Sequence, residues 1–329
     1  VATGEWQILI DDPEGTVRDP VVHYDAEKIL FSWRKADSRV FHLYECDLDG
    51  SNVRQLTDGP YDDIEPCYLP DGGIVFVSSR GKRFVNCWLT QVAILYRCDG
   101  DGKNIRQLSA NIEHDNTPWV LPDGRILFTR WEYIDRSQVS FHHLWTMNPD
   151  GTNHMVYFGN MHPEGLYIDA RPIPNTEDVV FINSPGHGRR EHSGHVAIVN
   201  NRQGPDHTQS LRDLSEDDKY RDPWPLSADL FIVAKENAIV VMNEHGQTAA
   251  IFELPNMRLP PNHAPAGVSA IRMPFTGLGA SADLTGFGYS FLPKSRRTPN
   301  RLVTRSTHPL PRTTFRSVWG CGAVLGLGP

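Results

Sequence analysis

The sequence predicts an all-β chain folded as a β-propeller of five to six four-stranded blades, with six the preferred count. Three observations lead there. A block of residues recurs at fixed spacing, short β-rich runs end in Asp-Gly turns, and no stretch sustains a helical period. The clearest copy is Asp63-Ile64-Glu65-Pro66, followed by Leu69-Pro70-Asp71-Gly72-Gly73-Ile74-Val75-Phe76. It returns 52 residues later as Asp115-Asn116-Thr117-Pro118, followed by Leu121-Pro122-Asp123-Gly124-Arg125-Ile126-Leu127-Phe128.

Each blade is justified by the same pattern. Weaker copies of its first half begin at Arg18-Asp19-Pro20, Asp169-Ala170-Arg171-Pro172 and Arg221-Asp222-Pro223. The second half recurs as Leu43-Tyr44-Glu45-Cys46 before Asp49-Gly50, Leu95-Tyr96-Arg97-Cys98 before Asp101-Gly102, and Leu144-Trp145-Thr146-Met147 before Asp150-Gly151. Alternating runs joined by Asp-Gly are hairpins, and two hairpins per unit make a four-stranded blade. Asp47-Leu48-Asp49-Gly50 and Asp99-Gly100-Asp101-Gly102 are turns rather than calcium loops, because the remaining oxygen ligands and the closing Glu are missing.

Residues 1–256 are expected to hold the blades. Glu5 to Ile10 could supply a strand that closes the last one. Residues 257–329 are expected to form a degenerate last blade or an irregular, basic, Pro/Gly-rich tail. That tail has nine Lys/Arg and one acidic residue, so the net charge of −8 hides an acidic body of −16. An acidic body argues against nucleic acid as partner, since phosphate binding needs a basic footprint. No run approaches the roughly 18 apolar residues of a membrane helix.

Strand alternation sets the geometry of the connections. The Pro-Asp-Gly and Asp-Gly turns between strands A–B and C–D fall on one end, and the longer B–C and D–A loops gather on the other. Function concentrates on such loops. Candidates there for a ligand or metal are His114, Asp115, Trp131, Glu132, Tyr133, Asp135, Arg136, His142, His143, His187, Glu191, His192 and His195. Histidines with a carboxylate could hold a transition metal, although His142 and His143 are adjacent and point to opposite sides of a strand. Strand A lines the axis, where the residues preceding its Pro are Asp19, Glu65, Thr117, Arg171 and Asp222. This mostly acidic ring could receive a cation. No G-x-S-x-G elbow is present, and the five cysteines include no C-x-x-C-H for covalent haem. Cys87 and Cys98 could pair across a hairpin, with two buried thiols the preferred reading.

Several loop sequences go beyond what a propeller requires. They are Asn86-Cys87-Trp88-Leu89-Thr90-Gln91, Glu113-His114-Asp115-Asn116-Thr117-Pro118, Arg130-Trp131-Glu132-Tyr133-Ile134-Asp135-Arg136 and Ser184-Pro185-Gly186-His187-Gly188. Over roughly Val17 to Leu254 the chain resembles the propeller region of the hydrazine synthase alpha subunit family, with TolB-type repeats. The resemblance implies an exported, periplasmic protein and a place in a redox assembly beside a haem domain. Its haem-binding cysteines are not in this chain. The expectation is therefore an exported propeller module that binds a ligand, metal or partner protein on its long-loop face. The alternatives are a subunit of a haem-dependent oxidoreductase in nitrogen metabolism, or a metal-dependent enzyme using the His-rich loop.

Overall fold

The structure, a computed structural model, describes residues 8–163, 165–186 and 192–253. These residues form five four-stranded antiparallel blades, each running in chain order from the inside outward. The first contains β1 (Thr16–Val22), β2 (Lys28–Arg34), β3 (His42–Asp47) and β4 (Arg54–Gln55). The second contains β5 (Asp63–Tyr68), β6 (Ile74–Ser78), β7 (Ile94–Cys98) and β8 (Arg106–Gln107). The third is built from β9 (Asp115–Val120), β10 (Ile126–Trp131), β11 (His142–Met147) and β12 (Met155–Phe158). In the fourth are β13 (Leu166–Pro172), β14 (Val179–Ser184), β15 (His195–Val199) and β16 (Arg212–Asp213). The fifth consists of β17 (Tyr220–Pro225), β18 (Leu230–Lys235), β19 (Ala238–Asn243) and β20 (Thr248–Glu253).

Blades stack face to face, so a second strand has no wet side and reads as a continuous apolar run. Ile74, Val75, Phe76 and Val77 of β6 are fully buried. Every second strand carries one buried phenylalanine: Phe31, Phe76, Phe128, Phe181 and Phe231. Phe76, Phe128, Phe181 and Phe231 each pack against the preceding blade, and truncating such a ring to alanine costs about 3–5 kcal/mol. Phe31 faces where a blade before the first would stand, and Leu9 and Ile10 pack there.

The turn glycines show the same order. Gly102 sits with φ +83° on the carbonyl of Leu56, Gly151 with φ +86° on that of Leu108, and Gly246 with φ +76° on that of Leu214. Each such leucine follows the outer strand of the preceding blade. Gly50, with φ +84°, meets Leu9 in the same way. Leu9 therefore occupies the place where an outer strand ends. Positions 5–7 and the 257–329 region lie outside the described residues, as does any sixth blade.

Cys98 is a buried free thiol and Cys87 a half-buried one, in line with the preferred reading of two unpaired thiols. One sequence expectation is corrected. The C–D connection of the fourth blade is not a minimal turn. Residues 200–211 include a 3-10 turn at Thr208–Ser210 and reach across to the third blade. Pro205 accepts a hydrogen bond from the Gly159 amide at 2.8 Å, and the Asp206 carboxylate accepts one from the Met161 amide at 2.7 Å. The sequence there lacks the Asp-Gly that marks the C–D turns of the first three blades.

Candidate functional site

At the axis, each innermost strand breaks its pairing with a β-bulge at an equivalent level. At each bulge one non-glycine residue has positive φ: Asp19 (55°), Glu65 (51°), Thr117 (50°), Asp169 (56°) and Asp222 (46°). Such backbone costs about 1–3 kcal/mol per residue and persists only where the surroundings enforce it. Here the enforcement is a head-to-tail chain of hydrogen bonds. The Glu65 amide donates to the Asp19 carboxylate at 3.0 Å, the Thr117 amide to Glu65 at 2.6 Å, and the Asp169 amide to the Thr117 hydroxyl at 3.4 Å. Each side chain satisfies the strained amide of the next blade. Arg18 closes on the same group, 2.7 Å from Asp19 and 3.3 Å from Glu65.

The ring member of the fourth blade is Asp169, not Arg171. Ala170 replaces the proline after it, and aligning on Pro172 displaces the register by two. Arg171 lies one level below, where its guanidinium covers Trp119 at 4.1 Å. Trp119 meets Trp224 edge-on at 5.1 Å, so side chains from the third and fifth blades touch across the axis. Burial, reinforced by Asp19 and Asp169, pushes the Glu65 carboxyl up to about 7 against the pull of Arg18 and the Thr117 amide. His192, also at the axis, is pushed down to about 3 by burial and then by Arg18 and Arg221. It is a neutral imidazole beside two guanidiniums.

Most candidates on the long-loop face turn out to support it from beneath. Asp115 is fully buried, and burial raises its carboxyl while Arg130 and Asn111 hold it. Asp63, its equivalent in the second blade, is held by Arg80 through two bonds of 3.1 and 2.6 Å. His114 accepts the Ala93 amide at 3.1 Å. Trp131 is stacked between His114 and His142, with ring centroids 5.9 and 4.9 Å away, and touches Tyr133 edge-on. His143 packs on Phe141 and Tyr167. Glu132 pairs with Arg136, whose guanidinium covers Phe141 and donates to the Asn160 carbonyl at 2.8 Å. Asp135 is exposed. His187 and Glu191 lie outside the described residues. Among the described residues no three His, Cys, Asp or Glu side chains are grouped to hold a metal.

The face also exposes large apolar side chains. The B–C loop of the second blade is a small hairpin of its own, closed by a bridge between Phe84 and Gln91 and by Val85–Thr90 and Val92–Arg83 backbone bonds. Its underside is fastened to the next loop, with the Asn86 amide donating to Glu113 at 3.1 Å and Arg83 to the Asn111 carbonyl at 2.7 Å. Its tip presents Trp88, 59% exposed, and Leu89, 77% exposed. Ile112, Ile134, Val139 and Met161 extend the exposed set over the third blade. The loop sequence of this hairpin carried the resemblance, but Trp88 and Leu89 were not among the candidate site residues. Its signal was two large apolar residues at the centre of a long loop.

The same face also holds a cavity of about 910 Å³ between the third and fourth blades. His162, Tyr167, Asn183, His195 and Asp218 line it, together with Thr208 and Leu211 from the long C–D connection. Of these, sequence reasoning had singled out His195 as a site residue. Tyr167 and Asn183 lie on strands, His162 and Asp218 on D–A loops expected on this face, and Thr208 and Leu211 on a connection expected to be a turn.

No family model matches the chain, and no curated protein matches it. Solved structures do. The chain superposes on hydrazine synthase from Kuenenia stuttgartiensis with a TM-score of 0.62 at 20% identity, covering 72% of this chain and 38% of that one. It superposes on TolB from Acinetobacter baumannii with a TM-score of 0.52 at 15% identity, covering 70% and 53%. A gluconolactonase from Xanthomonas campestris gives 0.52 at 16% identity, covering 77% and 81%. The protein is thus a β-propeller. Its fold is TolB-like, and it spans well under two thirds of the first two chains it resembles. No helix among the described residues is long and apolar enough to cross a membrane.

Proposed function

We propose that this chain is a binding module whose long-loop face docks a protein partner. One observation carries the reading: seven of the eleven exposed large hydrophobic side chains among the described residues lie on that face. Apolar side chains gathered on one surface mark interaction sites, and a buried aromatic anchor usually dominates the binding energy. Trp88 is built for that role because its hairpin is already hydrogen-bonded and pinned to the neighbouring loop, which lowers the ordering cost of association. We place the module outside the cytoplasm on the strength of its resemblance to exported propellers.

A finer reading makes the partner a haem-bearing redox subunit. It is supported by the loop sequences shared with the hydrazine synthase alpha family and by the likeness to one part of that longer chain. In this reading the propeller positions the partner, and the redox chemistry belongs to the partner's haem.

Affinity purification of the tagged chain from its source cells tests both. The wild type is expected to bring down one stoichiometric protein. A Trp88→Ser/Leu89→Ser variant is expected to lose it, while Val53→Ser on the opposite end retains it. Retention by the double variant would overturn the docking face. A Soret band in the co-purified material supports the redox partner, and a colourless stoichiometric complex removes it.

A further inference from the structure

We propose that the cavity between the third and fourth blades is a binding site for a small, neutral, polyhydroxylated molecule. This site is separate from the apolar hairpin and does not depend on the docking reading. Its volume of about 910 Å³ is within the range of small-molecule sites. The argument rests on which hydrogen-bonding role each wall residue has left.

His195 Nδ1 lies 3.0 Å from the Ser215 carbonyl. A carbonyl only accepts, so Nδ1 carries a proton, and in the neutral imidazole Nε2 is left as a lone pair. His162 Nε2 lies 2.9 Å from the Asp206 carbonyl, which leaves Nδ1 as its lone pair. The Asn183 amide nitrogen donates to Asp213 at 3.1 Å, and its oxygen remains an acceptor. Three acceptors thus come from three different segments, and among the described residues no Lys or Arg lines the cavity. A ligand that satisfies them must be rich in donors. Among the described residues Asp218 is the one carboxylate in the wall, too little to favour a polycation over a neutral ligand. Phe158 and Tyr167 supply an apolar wall suited to the C–H faces of a sugar ring or a linear polyol. The histidine tautomers are held by backbone carbonyls, so the acceptor set is preformed.

Saturation-transfer NMR on the whole chain tests this, with glucose, galactose, trehalose and mannitol as probes and lysine, spermidine and glutarate as comparisons. At least one polyol is expected to bind in the millimolar range or tighter. Asn183→Leu and His195→Phe are each expected to weaken it by roughly tenfold, because each removes an acceptor from a partly desolvated site. Should either variant misfold, Ser140→Trp serves in its place by filling the cavity from its loop rim. Val53→Ser, on the opposite end, is expected to bind as the wild type does. Three results would overturn the proposal: no polyol signal at about 50 mM, a weakness beyond useful recognition; binding unchanged in the variants; or a signal from lysine or spermidine in place of the polyols.

Discussion

Asp115, a ligand or metal candidate in the sequence, and its second-blade equivalent Asp63 act as fasteners in the structure. Asp63 is fully buried and held by the Arg80 fork and the Ser78 hydroxyl. Asp63→Ala strands that guanidinium, and urea denaturation is expected to show a loss of about 3–5 kcal/mol. Asp63→Asn, which keeps a hydrogen-bonding oxygen, is expected to lose less. Glu65 has a different signature. Its carboxyl titrates near 4.5 when unfolded and near 7 when folded, so the folded state holds a proton that the unfolded state releases between those values. Stability from this group is complete below about pH 4.5 and is lost as pH rises toward 7. A Glu65→Gln variant is expected to show a flatter stability profile over that window, measured by thermal unfolding. An unchanged slope would show that the proton sits elsewhere in the ring. The sequence placed Asp19, Glu65, Thr117 and Asp222 at the axis because a proline follows each. It missed Asp169 because alanine follows there. The 52-residue spacing from Glu65 to Thr117 gives 169 when applied once more, so the register was present in the numbering though not in the motif.

At the scale of the element, the hairpin turns were legible because Asp-Gly demands a particular backbone. Gly102 shows why substitution fails there. Its φ is +83°, and a Cβ would lie 2.0 Å from the Leu56 carbonyl of the preceding blade. Gly102→Ala is expected to cost about 2–4 kcal/mol, from left-handed strain plus displacement of a backbone contact between blades. Gly72 has the same φ with open space around it, so Gly72→Ala is expected to cost only the strain. Comparison of the two melting temperatures isolates the contact between blades. The long C–D connection of the fourth blade was not legible. It contains Gly204-Pro205, which reads as a turn, and its destination is set by tertiary bonds to Gly159 and Met161 that leave no local signature. The cavity is built partly from this connection, which is why its acceptor set could not be assembled from sequence. His195 was named for its residue type, whereas its importance lies in the tautomer that Ser215 imposes.

At the scale of the whole molecule, the propeller explains why polar candidates and real exposure separate. Stacked blades bury the strand ends, so His114, Asp115, His142 and His143 become the footing of the face, and the outermost atoms belong to apolar loop tips. The loop face was predictable from strand alternation alone, since the direction of each strand fixes the end on which each connection lies. Which side chains stand out from it depends on packing between blades, and that is not written in any one loop. The place of Leu9 before the first blade fits a ring closed by the N-terminal segment, and Gly50 resting on it repeats the contact made by Gly102 and Gly246. The central claim is that this face docks a protein through the Trp88 hairpin. Amide hydrogen exchange, measured on the chain alone and with its co-purified partner, tests it most directly. Protection is predicted at residues 84–91, 112 and 134–139, with the turns at 49–52 and 101–104 unchanged. Protection confined to those turns, with the hairpin exchanging as before, would contradict it.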